Sequence, residues 1–276
     1  MGVLSFLTSS IAYAMEESEV IGTVPRLLTA TSDRNALYEE CTLGDALADA
    51  MVIYTGADMA IVNGGMLTGN LLHGQVLEQD IEACVAEDCE LAAAEVSAAQ
   101  LFAILEASLA HVVVDESKSY DASLSEHAAF PQISGFRVSY DPALEAGQRL
   151  ARVTFNNEAL DINDSETKYT LVSTTRLFDG EFDTPEVQDY TVLDKTLHSV
   201  LKSYIQDGME DSRYVVPEKR INAMGVRSGQ SLNRYLIFTA VVILALFWLL
   251  LSRPWRRQAN KNIKENEINF ESEEIQ

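Results

Sequence analysis

Residues 59–67 have the sequence Met-Ala-Ile-Val-Asn-Gly-Gly-Met-Leu. An apolar run leads directly into Asn63-Gly64-Gly65, a pattern typical of a short buried strand that ends in a turn. The two glycines let the backbone approach another group closely, either a ligand or a second segment of the chain. We therefore predict a buried strand and a tight turn, and the turn has either a ligand-binding or a purely structural role.

Strand-like and helix-like segments alternate around this stretch without repeats. Thr42 and Asp45 resemble a capping box and predict the start of a helix, as do Ser97 and Gln100 further on. Apolar residues at helical spacing predict a closing helix over 192–206. Alternating patterns predict half-buried strands, and a turn is expected at Asn156-Asn157. The predicted strands are 133–140, 151–155 and 169–174.

Five segments follow one another along the chain: V-I-G-T at 20–23, L-G-D-A-L-A-D-A at 43–50, A-D-M-A-I-V-N-G-G-M-L-T at 57–68, Q-I-S-G-F-R-V-S-Y-D at 132–141 and Y-T-L-V-S-T at 169–174. In this order they resemble motifs of the C-terminal domain of the 5′-nucleotidase / UDP-sugar hydrolase family. The resemblance covers about residues 18–208. It implies an α/β fold, a mixed α+β sheet with helices, and a substrate-binding role.

The positions that contact nucleotide in the family have changed. Two aromatic rings hold the base there, and Glu87 and Arg176 fall at these positions, with Phe178 or Phe182 as alternatives. Two phosphate-facing arginines are replaced by Glu39 and Thr68. Loss of a stacking ring costs about 1–3 kcal/mol per base, and loss of arginine removes charge-assisted hydrogen bonds. We expect weak or absent nucleotide binding. The candidate pocket residues are Asn63, Gly64, Gly65, Glu39, Glu87, Arg176, Phe178 and Phe182.

The resemblance places catalysis outside this chain. In the family, hydrolysis belongs to an N-terminal metallophosphatase domain with D-x-H, G-D and G-N-H motifs, whose two metal ions activate water. The four histidines of this chain lie in none of these settings and are interpreted as surface or loop residues. No nucleophile elbow or P-loop is present in the sequence. The sequence thus predicts no catalytic residue, metal ligand or cofactor, although the family activity is that of a phosphoric-ester hydrolase.

The net charge and the cysteine content argue against some other classes of function. The net charge of −22 argues against nucleic-acid binding, because such a surface repels phosphates. Acidic residues are interpreted chiefly as a solubilising surface. Cys84 and Cys89 could form a local disulfide in an oxidising compartment, with Cys41 as a buried thiol. No Cys/His spacing indicates zinc.

Residues 235–251 are uncharged and predict a transmembrane helix, since about 17 residues make roughly 26 Å of helix. The basic residues after this stretch place the C-terminus in the cytoplasm. Ala12-Tyr13-Ala14 resembles a signal cleavage site without a basic n-region, and the alternative is a start site inside a longer reading frame. The expected organisation is a signal peptide (1–14), the 5′-nucleotidase-like domain (15–208), a stalk (209–234), the transmembrane helix (235–251) and a cytoplasmic tail (252–276).

Three functions are consistent with these features. The first is a single-pass, membrane-anchored extracytoplasmic domain without catalysis, which binds a protein partner or organises a complex. The second is the substrate-binding half of a nucleotidase whose metallophosphatase half is another chain or is missing from this reading frame. The third is a module for another small ligand. An adjacent reading frame with metallophosphatase motifs would favour the second, and a pocket closed by side chains would favour the first over the third.

Overall fold

The computed structural model describes residues 19–31, 35–86, 89–210, 212–226, 242–244 and 248. Two units are distinguished, one ending at Val226 and one running from Arg227 to Gln276. All the strands and helices defined below lie in the first unit. The strands are β1 (Val20–Val24), β2 (Met59–Asn63), β3 (Gly74–Leu77), β4 (Glu90–Ser97), β5 (Pro131–Ser134), β6 (Phe136–Tyr140), β7 (Leu150–Phe155), β8 (Glu158–Ala159), β9 (Lys168–Thr174), β10 (Thr191–Thr196) and β11 (Ile221–Ala223).

The described strands form three sheets. A five-stranded sheet has the order β10-β4-β9-β2-β5, a four-stranded sheet has the order β11-β6-β7-β8, and β1 pairs with β3. Strand β2 is flanked by β9, which runs parallel to it, and by β5, which runs antiparallel. All five residues of β2 are buried. The predicted buried strand is therefore confirmed, and its apolar run forms an inner strand of the five-stranded sheet.

Helices cover and connect the sheets. They are α1 (Thr42–Thr55), α2 (Glu78–Cys84), α3 (Ala98–Ser108), α4 (Ala122–Ser125), α5 (Thr175–Phe178) and α6 (Leu197–Gln206), with a 3₁₀ turn at Gly64–Met66. Helix α1 packs against α6, β5 and β2, and its first ten residues are buried. Such complete burial includes polar positions, which require partners from other segments.

The start of α1 differs from the prediction. The N-cap is Cys41, whose Sγ accepts a hydrogen bond from Gly44 N at 3.3 Å. Asp45 is not part of a capping box, because its Oδ2 accepts from Glu218 N at 3.0 Å. The predicted box at α3 is confirmed. There, Ser97 Oγ accepts from Gln100 N, and the Gln100 side chain accepts from Ser97 N.

Two predicted elements have different bounds in the structure. The closing helix begins only at Leu197, because residues 191–196 form β10 and pair with β4. The predicted strand over 133–140 is divided at Gly135, where φ is +87° and a Cβ would lie 2.1 Å from Asp58 O. The turn at Asn156-Asn157 is confirmed, and both residues adopt positive φ between β7 and β8.

Residues 212–226, assigned to a stalk from the sequence, contribute to the first unit. They supply β11, which pairs in parallel with β6, and the buried side chains of Tyr214 and Arg220. The family-like segment alone would leave the edge of β6 without this strand. These residues therefore form part of the folded unit that carries the sites described below.

The prediction of a transmembrane helix is corrected. Within the described residues, no helix is both long enough and apolar enough to cross a membrane. Of the stretch 235–251, only 242–244 and 248 are described, and the remainder lies outside the described residues. The predicted signal peptide over 1–14 and the tail over 252–276 also lie outside them. The extracytoplasmic location stays a prediction.

Cys84 has a buried, free thiol, so the disulfide with Cys89 is not formed. Burial raises the pKa of Cys84 to about 12, and it raises that of Cys41 above its ordinary value as well. Both thiols are therefore protonated at neutral pH and serve as small apolar core groups.

Candidate functional site

The turn after β2 is closely packed against two neighbouring loops. Gly64 N donates to Phe130 O at 2.7 Å, and Gly65 N donates to Ala128 O at 3.0 Å. A Cβ on Gly64 would lie 1.9 Å from the carbonyl oxygen of Ala36, and one on Gly65 would lie 2.5 Å from the Ala128 side chain. Both glycines are thus required by contacts within the protein, whether or not the turn also meets a ligand.

Asn63 is fully buried beside this turn. Its Nδ2 donates to Ala129 O at 3.2 Å. Its Oδ1 has no hydrogen-bond partner among the described residues. The amide therefore joins the end of β2 to the loop before β5.

Arg176 is held by side chains from its own loop. Its Nε and Nη2 both donate to the Glu181 carboxylate, and its guanidinium carbon lies 5.4 Å from the centre of the Phe182 ring. The hydrogen bonds from Arg176 lower the pKa of Glu181. The guanidinium is thus occupied by a carboxylate and lies against an aromatic ring, an arrangement that favours Arg over Lys.

The other predicted pocket residues are dispersed. Phe178 is fully buried and its ring lies 5.5 Å from that of Tyr190, so it belongs to the core. Glu39 is half-buried, and its backbone carbonyl accepts from Gln132 Nε2 at 3.0 Å. Glu87 lies outside the described residues. Thr68, at a phosphate-facing position of the family, donates instead to Ala83 O at 3.3 Å.

Two histidines lie next to the turn. His111 follows α3 and His127 precedes β5, and their rings are stacked with centres 3.6 Å apart. His127 Nε2 is 3.8 Å from Asp183 Oδ2, and Asp183 directly follows Phe182 in the chain. Among the described residues, these three side chains form a group whose geometry could hold a metal ion. We refer to the turn Asn63–Gly65 with His111, His127, Arg176, Glu181, Phe182 and Asp183 as the turn edge.

A second polar region lies at the Ser134 end of β5, whereas the turn edge lies near the Pro131 end. A cavity of about 360 Å³ is present there, and it is open to solvent. Three cationic side chains contribute to its wall, together with carboxylates and amides. Its lining includes Asp49, Ser134, Arg137, Asn156, Asn157, Arg213, Glu218 and Arg220.

Asp49 is the centre of this region and accepts hydrogen bonds from four side chains. Arg220 contacts both carboxylate oxygens, at 2.8 and 2.9 Å. Ser134 Oγ donates at 2.5 Å and Tyr214 OH at 2.6 Å, and Arg213 Nη2 donates as well. We call Asp45, Asp49, Arg213, Tyr214, Glu218 and Arg220 the Asp49 cluster.

The pKa values of the two aspartates of this cluster are shifted in opposite directions. Burial tends to raise the pKa of Asp49, but the hydrogen bonds and charge of Arg220, with further bonds from Ser134 and Tyr214, hold it below its usual value. Burial and then the charge of Glu40 raise the pKa of Asp45 well above its usual value. Asp45 Oδ1 has no hydrogen-bond partner in the described part of the chain. Local sequence patterns do not reveal this cluster, because four of its six residues lie in 212–226.

The sheets and helices define the class of protein as a mixed α/β domain. The 5′-nucleotidase C-terminal domain family matches residues 20–185, more than half of the chain. The protein therefore belongs to this family, and the resemblance found in the sequence is confirmed.

Solved structures show the same fold at low sequence identity. A 5′-nucleotidase precursor from Thermus thermophilus matches with a TM-score of 0.61 and 19% identity, covering 76% of this chain and 40% of its own. An NAD nucleotidase from Haemophilus influenzae gives 0.58 and 16%, covering 75% and 38%. A sulfate thiohydrolase from Thermus thermophilus gives 0.54 and 19%, covering 76% and 36%. The chain thus spans well under half of these proteins. No curated protein sequence matches it significantly.

Proposed function

We propose that this chain is a non-catalytic binding domain of the 5′-nucleotidase C-terminal family and does not hold nucleotide in the manner of the family. The observation that carries the proposal is the state of Arg176. The Arg176 guanidinium lies against the Phe182 ring and donates hydrogen bonds to the Glu181 carboxylate, and both of these groups come from its own loop. A base that stacked at this position would have to displace these intramolecular contacts.

The rest of the turn edge supports the same proposal. Thr68 contributes a hydroxyl bonded to Ala83 O in place of a phosphate-binding cation. Gly64 and Gly65 are accounted for by their contacts with Ala36 and Ala128. A nucleotide would therefore meet neither the stacking rings nor the charge-assisted donors that supply most of the affinity for such ligands.

We further propose that the partner is a protein. Leu28 and Leu71 form a bridge between two antiparallel segments, and their neighbours Leu27 and Leu72 are exposed by 42% and 71%. Because the segments run antiparallel, Leu27 stands opposite Leu72. Residues in such opposite positions point to the same side. Leu27 and Leu72 form a small exposed apolar pair, and we infer that a protein partner buries it.

A second function is supported by the family match and by the short span of the chain. The chain covers 40% or less of the three nucleotidase-fold proteins given above. We therefore keep as a second proposal the substrate-binding half of a nucleotide-hydrolysing enzyme whose catalytic half is elsewhere. This function requires that the domain itself bind nucleotide.

Calorimetry with AMP separates the two proposals. For the full-length chain, we expect no saturable heat at millimolar AMP and no phosphate release with Mn²⁺, Zn²⁺ or Co²⁺ present. A dissociation constant in the low micromolar range would overturn the first proposal and favour the second. Metal-dependent release of phosphate that survives repurification would overturn both, because it would make the chain an enzyme by itself.

A photo-crosslinker tests the protein partner. We expect an amino acid of this type at Leu72 to give a discrete crosslinked product in cells. The matched control is Ile162, which is 51% exposed at a different place. Equal labelling at the two positions, or none at either, would contradict the proposal that Leu27 and Leu72 contact a protein partner.

A further inference from the structure

Three side chains that are remote in sequence meet at the turn edge. His111, His127 and Asp183 come from three different loops. Their ligating atoms all lie within 4.8 Å of one another. His127 Nε2 lies 3.8 Å from Asp183 Oδ2.

We propose that His111, His127 and Asp183 bind a divalent transition-metal ion, with Zn²⁺ as the best fit. Imidazole nitrogen and carboxylate oxygen are characteristic zinc ligands, with bonds of about 2.0–2.2 Å. In a tetrahedral site such ligands are roughly 3.4 Å apart. The ligating atoms are close to this spacing, but the two stacked rings, only 14° from parallel, must turn relative to each other so that both nitrogens face one point.

The surrounding chain positions these ligands. Asp183 adopts a φ of +59° and lies between two buried residues, Phe182 and Thr184. Thr184 Oγ1 donates to Leu177 O at 3.2 Å, which fastens the loop to α5. The Asp183 carboxylate itself is 78% exposed. An exposed acid on an anchored loop is accessible to an ion without unfolding of the core.

His127 is oriented by its own loop. Ala129 N donates to His127 Nδ1 at 3.2 Å, so that Nε2 points toward Asp183. When a neutral imidazole binds metal through Nε2, its Nδ1 carries the proton and becomes a donor. Metal binding must therefore break the bond from Ala129 N. This amide becomes a specific reporter of the bound state.

Three protein ligands leave one position of a tetrahedral ion open. Gly65 N is bonded to the carbonyl of Ala128, beside His127, so the three side chains lie near the turn after β2. The site would accept water at the open position, or one donor group from a bound partner. This goes beyond the proposed function, which requires no metal.

Titration of the metal-free, full-length chain with Zn²⁺ against a chromogenic chelator tests the site. We expect one equivalent to bind with micromolar or higher affinity. His127→Asn should weaken binding at least about tenfold, because even loss of an outer-shell partner costs about 10–100-fold. The matched control His73→Asn removes an exposed histidine outside the group and should leave the affinity unchanged.

NMR gives a second readout that does not depend on affinity. Zn²⁺ should shift the ring signals of His111 and His127 and the amide of Ala129, while His73 and His198 stay unchanged. If His127→Asn does not fold, Asp183→Asn replaces it, since that side chain is exposed. Equal affinity of the wild type, the His127 or Asp183 variant and the His73 control would overturn the proposal. It would indicate adventitious binding to the acidic surface.

Discussion

The two ends of strand β5 carry polar side chains in different states. At the Ser134 end, the Asp49 cluster is largely buried, and Asp49 receives hydrogen bonds from four side chains. At the Pro131 end, the turn edge has His127 and Asp183 at 30% and 78% side-chain exposure, 3.8 Å apart. A buried and satisfied network fastens segments of the chain together. Exposed groups that are close but beyond bonding distance are available to a ligand.

The difference also assigns a role to residues 212–226. Through Arg213, Tyr214 and Arg220, this segment supplies three of the four side chains that bond Asp49. Helix α1, which carries Asp49, packs directly on β2 and β5. The Asp49 cluster therefore supports the two strands from which the turn edge extends, and disturbance of the cluster should have the larger effect on stability.

The largest effect is expected for Arg220→Met. The substitution leaves the buried Asp49 without its bidentate partner, and removal of one member of a buried pair costs about 3–5 kcal/mol. Urea unfolding of the full-length chain, followed by circular dichroism, measures the loss. The control is Arg152→Met, which removes an exposed arginine on β7 outside the cluster. Similar losses for both variants would contradict a special role of the Asp49 cluster.

A smaller effect, visible in its pH dependence, is expected for Asp45→Asn. The pKa of Asp45 is raised in the fold by burial and by Glu40. Its contribution to stability is therefore complete below the unfolded pKa of about 3.9 and is lost as the pH rises through the folded pKa. Asparagine does not titrate, so the stability of the variant relative to wild type should increase as the pH rises from about 4 to about 7.

Unfolding curves at several pH values across that interval test this prediction. The lowered pKa of Asp49 has the opposite sign, and its stabilisation is lost as the pH falls through its folded pKa. This term is present in both proteins and largely cancels in their difference. A difference that does not change with pH would show that Asp45 titrates at its ordinary pKa.

The smallest effect is expected at the turn edge, for Glu181→Gln. The Arg176–Glu181 pair has side-chain exposures of 30% and 46%, and solvent screens such pairs, which contribute about 0–1 kcal/mol. The unfolding free energy should change by less than about 1 kcal/mol. Glu145→Gln, on an exposed loop, is the control. A loss close to that of Arg220→Met would mean that the turn edge is as structural as the Asp49 cluster.

Local signals in the sequence were sufficient for much of the five-stranded sheet. The apolar run before Asn63 and the capping box at Ser97 each depend on neighbours within a few residues, so their patterns report the structure directly. The helix predicted over 192–206 was too long, because pairing of β10 with β4 overrides the local apolar spacing. The box predicted at Thr42 was wrong because a distant segment engages Asp45.

The sequence by itself determined the family and the buried strand with its Gly-Gly turn, since these depend on residue types at local spacings. Only the tertiary structure decided that Arg176 is held by Glu181 and Phe182, that residues 212–226 close over Asp49, and that His111, His127 and Asp183 meet. The physical reason is the same in each case. Ion pairs and metal ligands act over a few ångströms in space, and chain folding sets those distances between residues that no sequence period connects.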